Sequence, residues 1–207
     1  TVGWMPGLKR PWPEGAFYGF DRLADDAGIG YQGPDFGYWR IPDQAAMALL
    51  QAQELDRTRA RAPRFAVFAT TSTHAPFHPI APFVNDWASL TRVDAYAGVT
   101  ALPASASLRQ AGPQYLEAMR YQHAWLADHL RRRAPRPLVM IVVGDHQPPA
   151  LVSGQGASWD VPVHVVSDDY ICRAASQNIA LDIYAWRNFF KYQTPIFQSE
   201  NSSLGDE

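Results

Sequence analysis

From Pro137 to Pro149 the chain reads Pro-Leu-Val-Met-Ile-Val-Val-Gly-Asp-His-Gln-Pro-Pro. An unbroken apolar run rich in β-branched Val139, Ile141, Val142 and Val143 predicts a strand buried on both faces, as in a parallel sheet. Pro137 stands at its start, where no ladder hydrogen bond is lost, and Gly144 ends it. Asp145 and His146 follow at once, and Pro148 and Pro149 prevent continuation. In open α/β sheets ligands bind beyond the carboxyl ends of the strands. The run therefore delivers a carboxylate and an imidazole to the place where such folds do chemistry. That donor pair suits a divalent ion of intermediate softness, Mn²⁺ or Zn²⁺ before Ca²⁺ or Mg²⁺.

A second apolar run, Arg64 to Thr71, also empties into a polar loop, Ser72-Thr73-His74-Ala75-Pro76-Phe77-His78-Pro79. If the two strands are parallel neighbours, His74, Asp145 and His146 converge at one sheet edge. Around them the chain reads as alternating elements. Residues 1–42 are dense in Gly, Pro and aromatics and predict short strands and turns, with one helix over Phe20–Ala27. A helix is expected from Gln44 to about Arg59 with Asp43 as its N-cap. Residues 80–112 predict an excursion carrying a short helix. A long helix follows from Gln114 to Arg132, with Tyr115, Met119, Gln122/His123 and Leu126 on its broad apolar stripe, Leu116, Trp125 and Leu130 nearby, and Arg131–Arg133 at the negative end of its dipole. Trp159–Val166 predicts a strand placed at an edge or beginning by Pro162, and Ser176–Tyr192 another helix. The last residues, 198–207, read as a polar tail. This order implies an α/β layered fold with a mostly parallel central sheet flanked by helices.

Composition narrows the function. The chain has 207 residues and a net charge of −2, which gives no field for nucleic acid. A single cysteine, Cys172, excludes an internal disulfide and a cysteine-rich metal site. No apolar run approaches the ~20 residues of a membrane span, and no Gly-x-Ser-x-Gly elbow marks an α/β-hydrolase. The helical His123 and His129 do not share a face, His164 reads as a structural histidine in mid-strand, and His78, four residues past His74, stands as a supporting group behind it at most.

The pairing of Thr73-His74-Ala75-Pro76-Phe77 with Gly144-Asp145-His146 resembles the sulfatase-like branch of the alkaline phosphatase superfamily, which includes arylsulfatases and lipoteichoic acid synthases. Phe17-Tyr18-Gly19-Phe20-Asp21, Asp35 to Asp43, and Asp160-Val161-Pro162-Val163 are similar to the same family, so the resemblance spans residues 17–166. It implies an alkaline phosphatase-like fold, a divalent metal held in part by Asp145 and His146, and a catalytic His74 facing the substrate's anionic or leaving group. It also implies that Arg10 and Trp12 present a guanidinium and an indole to the substrate head group. The substrate class implied is a phosphate or sulfate ester, small or linked to glycan or lipid. The implied location is the periplasm or the outer face of the inner membrane, with attachment through a region upstream of Thr1.

The family's nucleophile segment and first acidic metal ligand have no counterpart in residues 1–207. The chain is accordingly expected to be the C-terminal part of a catalytic domain. Its function is then that of a metal-dependent hydrolase or transferase fragment, the alternative being a non-catalytic remnant that serves as a binding module.

Overall fold

The structure, a computed structural model, describes residues 1–56, 63–100, 110–132 and 138–167. It is mixed α/β and divides into two compact units, Thr1–Ala134 and Pro135–Glu207. The expected Ser176–Tyr192 helix, Cys172 and the tail lie outside the described residues.

The first unit is built on a parallel sheet of order β2-β1-β3, with β1 at Val2–Trp4, β2 at Arg22–Ala24 and β3 at Ala66–Phe68. The central position of β1 shows in its burial: Val2 and Trp4 are fully enclosed. The Trp4 indole Nε1–H donates to the Ala46 carbonyl at 2.9 Å and fastens the sheet to α1 (Asp43–Leu50). Every residue of α1 is buried, as an apolar-all-round helix requires, and the helix runs on into a π turn over Gln51–Leu55. Gln44 of α1 holds the backbone of Val84 from both sides, donating at 2.7 Å and accepting at 3.0 Å. A 3₁₀ turn at Trp87–Thr91, capped by the Asp86 side chain, is the short helix expected in the excursion.

The long helix forms as α2, Ala111–Arg132, but its buried face differs from the expected stripe. Ala118, Tyr121, Trp125 and His129 point inward, whereas Leu116 is exposed. The Phe20–Ala27 helix does not form. A 3₁₀ turn at Pro13–Tyr18 ends at Gly19, and the next residues pair with β1 as β2. The ladder to an already buried strand outweighs the local preference.

The second unit holds β4 (Val139–Val143), a short helix α3 (Ala150–Ser153) and β5 (Val163–Ser167). β4 and β5 pair antiparallel, Val139 opposite Ser167 and Val143 opposite Val163. Two expectations are thereby corrected. β3 and β4 are not parallel members of one sheet, because β3 ladders onto β1 and β4 onto β5. Nor is β4 buried on both faces, since Val139 and Ile141 are exposed. Pro162 directly precedes β5, the beginning position expected for it. Among the described residues no helix is long and apolar enough to cross a membrane.

Candidate functional site

In the first unit the loop after β3 carries His74, and the segment Phe36–Asp43 moulds it. Phe36 N–H donates to the Arg40 carbonyl at 3.0 Å, closing a tight turn whose inner residues are Gly37, Tyr38 and Trp39. Trp39 Nε1–H donates to the Ala75 carbonyl at 3.1 Å, and its ring meets the His74 ring edge-on at 4.7 Å. Four residues later, Asp43 accepts the backbone N–H of Thr71 and of Ser72, each at 2.8 Å, and the Thr71 hydroxyl at 3.2 Å. Asp43 is therefore not the N-cap of α1. Pro42 occupies that position without a side-chain cap bond, and Asp43 is the first helical residue, fully buried. Burial pushes its carboxyl above the usual carboxylate range, and the Thr71 and Ser72 amides pull the other way.

Beyond that clamp the loop tightens. His74 N–H donates to the Thr71 carbonyl and Phe77 N–H to the His74 carbonyl, both at 3.0 Å. Phe77 sits at φ 61°, a left-handed backbone that costs a non-glycine residue roughly 1–3 kcal/mol and is held by its surroundings. Its buried ring packs on Tyr115 of α2 at 5.3 Å.

The His74 Nδ1 lies 2.8 Å from the Ala75 carbonyl oxygen. A carbonyl only accepts, so Nδ1 carries a proton. Around this imidazole is a small cavity of about 30 Å³, lined by Tyr38, Trp39, Thr71, Ser72, His74 and His78 among others. It has room for a water molecule and mixes aromatic walls with hydroxyls and imidazoles. The Lys9 ammonium lies 3.9 Å from the centre of the Tyr38 ring and donates to the Tyr38 carbonyl, adding a positive charge beside two of these wall residues.

In the second unit Asp145 and His146 stand on the exposed connection that follows β4. Gly144 N–H donates to the Pro162 carbonyl at 3.1 Å, and the Gln147 side chain bonds the Asp160 carbonyl, so the connection is tied back on both sides. Asp145 Oδ1 accepts the His146 N–H at 2.9 Å. His146 Nδ1 lies 2.7 Å from the Gln147 carbonyl, which assigns a proton to Nδ1. Asp145 Oδ2 and His146 Nε2 are 3.5 Å apart. Two donors bound at roughly 2.1 Å with a tetrahedral angle between them stand about 3.4 Å apart, so this pair fits one edge of a metal's coordination shell. Among the described residues no group of three or more His, Cys, Asp or Glu is assembled to hold a metal.

Arg10 is exposed, and Trp12 is buried with its ring 5.3 Å from that of Tyr18. His123 is exposed on α2, and His129 is buried 5.8 Å from the Trp87 ring. His164 is exposed on β5 rather than enclosed, because the strand pair leaves alternate side chains facing outward. Sequence reasoning missed Trp39, Lys9 and the role of Asp43, while His78 does line the His74 cavity. Comparison with protein-family models, with curated proteins and with solved structures finds no match for this chain.

Proposed function

We propose that this chain carries metal-binding and substrate-facing parts of a hydrolase or transferase acting on phosphate or sulfate esters. The observation that carries the reading is the Asp145–His146 pair, with Oδ2 and Nε2 at the separation of two shared-metal donors and Nδ1 pinned on a backbone carbonyl. A divalent ion held there, Mn²⁺ or Zn²⁺ before Ca²⁺ or Mg²⁺, would neutralise charge on the non-bridging oxygens of the ester. Asp145 would supply the anionic donor, and Gln147 would fix the imidazole of His146 in its ligating tautomer.

His74, in the first unit, is read as the group that meets the substrate's anionic or leaving group. With Nδ1–H held by Ala75, its Nε2 can take a proton or, once protonated, give one to a leaving oxygen or pair with an anionic group. Trp39 and Tyr38 offer flat apolar surface beside it for the remainder of the substrate. The parallel β2-β1-β3 sheet with its packed helix is compatible with the layered alkaline phosphatase-like fold that this reading calls for. The reading assigns the nucleophile to no residue of 1–207.

The test is calorimetric titration of Mn²⁺ and Zn²⁺ into the 207-residue protein and into Asp145→Ala and His146→Ala. One ion should bind weakly, and each substitution should cost at least ~10-fold in affinity. Equal binding by the wild type and both variants would remove the metal assignment.

A further inference from the structure

We propose that Asp43 is the positioning residue for His74, holding its imidazole in the cavity through the backbone of Thr71 and Ser72. The inference rests on reading His74 as the group that meets substrate, and adds the device that aims it.

The argument begins from what Asp43 does not do. As the first residue of α1 it makes no capping bond to its own helix, and the N–H of its neighbour Gln44 already donates to the Tyr121 hydroxyl at 3.3 Å. Instead it is fully buried, and its carboxyl turns to the loop after β3. Burying a carboxyl is costly unless donors meet it. Here both oxygens are met by that one loop, Oδ1 by the Thr71 amide and hydroxyl and Oδ2 by the Ser72 amide. Two consecutive amides gripped by one planar group fix the direction in which the chain leaves the strand. The next turn closes from His74 N–H onto the Thr71 carbonyl, so the gripped residue is also the anchor of the turn that bears the imidazole.

The base of this clamp is enclosed and tied to its neighbours. α1 is buried along its whole length, bonded to β1 through Trp4 and to Val84 through Gln44. On the far side of His74, Trp39 fixes the Ala75 carbonyl that in turn holds Nδ1. The imidazole is thus set from two directions by residues four apart in one segment.

Carbon-13 and nitrogen-15 NMR of the His74 ring decides the matter without any substrate, so a chain with no hydrolytic activity still gives an answer. Asp43→Asn keeps one acceptor oxygen but sets an NH₂ group against the second amide. Glu54→Gln, at an equally buried carboxyl with no bond to this loop, is the control. Both variants should be less stable than the wild type. Only Asp43→Asn should move and broaden the His74 Cε1–H signal, through a changed position under the Trp39 ring, and should speed exchange of the Thr71 and Ser72 amides about 10- to 100-fold. A folded Asp43→Asn protein with the His74 signal unmoved, or an equal displacement in Glu54→Gln, would overturn the proposal. Should Asp43→Asn not fold, hydrogen exchange of the wild type poses the question directly. The Thr71 and Ser72 amides should then exchange together with those of α1, and exchange at unprotected rates overturns the clamp.

Discussion

Gly37 offers a quantitative test of the loop that presents Tyr38 and Trp39. Its φ is 63°, and a Cβ added there would meet the Pro79 ring carbon Cδ at 2.5 Å. Alanine at this position faces two separable costs. A left-handed backbone disfavours an L side chain by roughly 1–2 kcal/mol. The approach to a rigid proline ring adds an overpacking cost of about 1–3 kcal/mol. Against these, alanine restricts the unfolded chain and recovers ~0.4–1 kcal/mol. The net expectation for Gly37→Ala is a loss of about 1–4.5 kcal/mol. Gly30, at φ 77° with nothing within 4 Å of the same added atom, isolates the backbone term. Gly30→Ala should therefore cost only about 0–1.5 kcal/mol. Urea denaturation of both variants, followed by circular dichroism with the slopes compared, reads the difference. If Gly37→Ala is no more destabilising than Gly30→Ala, Pro79 yields freely and the cavity wall it forms beside His78 is not rigid.

Two further outcomes follow from buried carboxyls. Glu54→Gln should cost about 1–3 kcal/mol in urea denaturation, because its enclosed carboxylate is the shared partner of Arg22 and Arg64 while both guanidiniums keep partial access to water; a change within ~0.5 kcal/mol would mean the pairs contribute nothing net. For Asp43 the sign is opposite to the usual carboxylate: its folded pKa is raised by burial above the ordinary 3.8, so the stability it contributes is full below that value and is lost as pH rises through the raised one. Wild-type stability minus that of Asp43→Asn should shrink with rising pH over this window, and a difference that grows would show that the two amides outweigh burial.

The helices after Pro42 and Gln110 were readable in this chain, whereas the absence of a Phe20–Ala27 helix and the strand pairings were not. The run Gln44–Leu50 and the long stretch to Arg132 each fill several turns with helix-compatible residues, so their existence follows from local preference. β1 is three residues long and lies between Thr1 and Met5-Pro6. Nothing within it distinguishes a central strand from a turn-rich approach. Its standing comes from Arg22–Ala24 and Ala66–Phe68 on either side, contacts some 20 and 64 residues away in sequence. The same non-locality misdirected β4, whose composition suits a parallel core strand but whose partner is β5 running the other way. Both loops that end in histidine were legible because strand, break and polar donors are adjacent in sequence.

Asp43 shows where a stricter reading of local pattern would have gone further. The capping rule treats an aspartate at a helix start as serving its own helix, which is sound where one face of that helix meets water. The residues Gln44-Ala45-Ala46-Met47-Ala48-Leu49-Leu50 leave no polar face after the first of them. A helix apolar all round must be enclosed, and its first turn goes inside with it. A carboxyl carried into that buried position needs hydrogen-bond donors. The donors must then come from another segment, and the segment best suited is one that leaves a strand with consecutive amides not yet paired. Thr71 and Ser72, between β3 and His74, supply those amides in the structure, although the sequence places Thr71 inside the strand. The carboxyl at the head of α1 and the histidine after β3 are thus two ends of one requirement: the fold must satisfy a buried acid, and it does so with the loop that carries the imidazole.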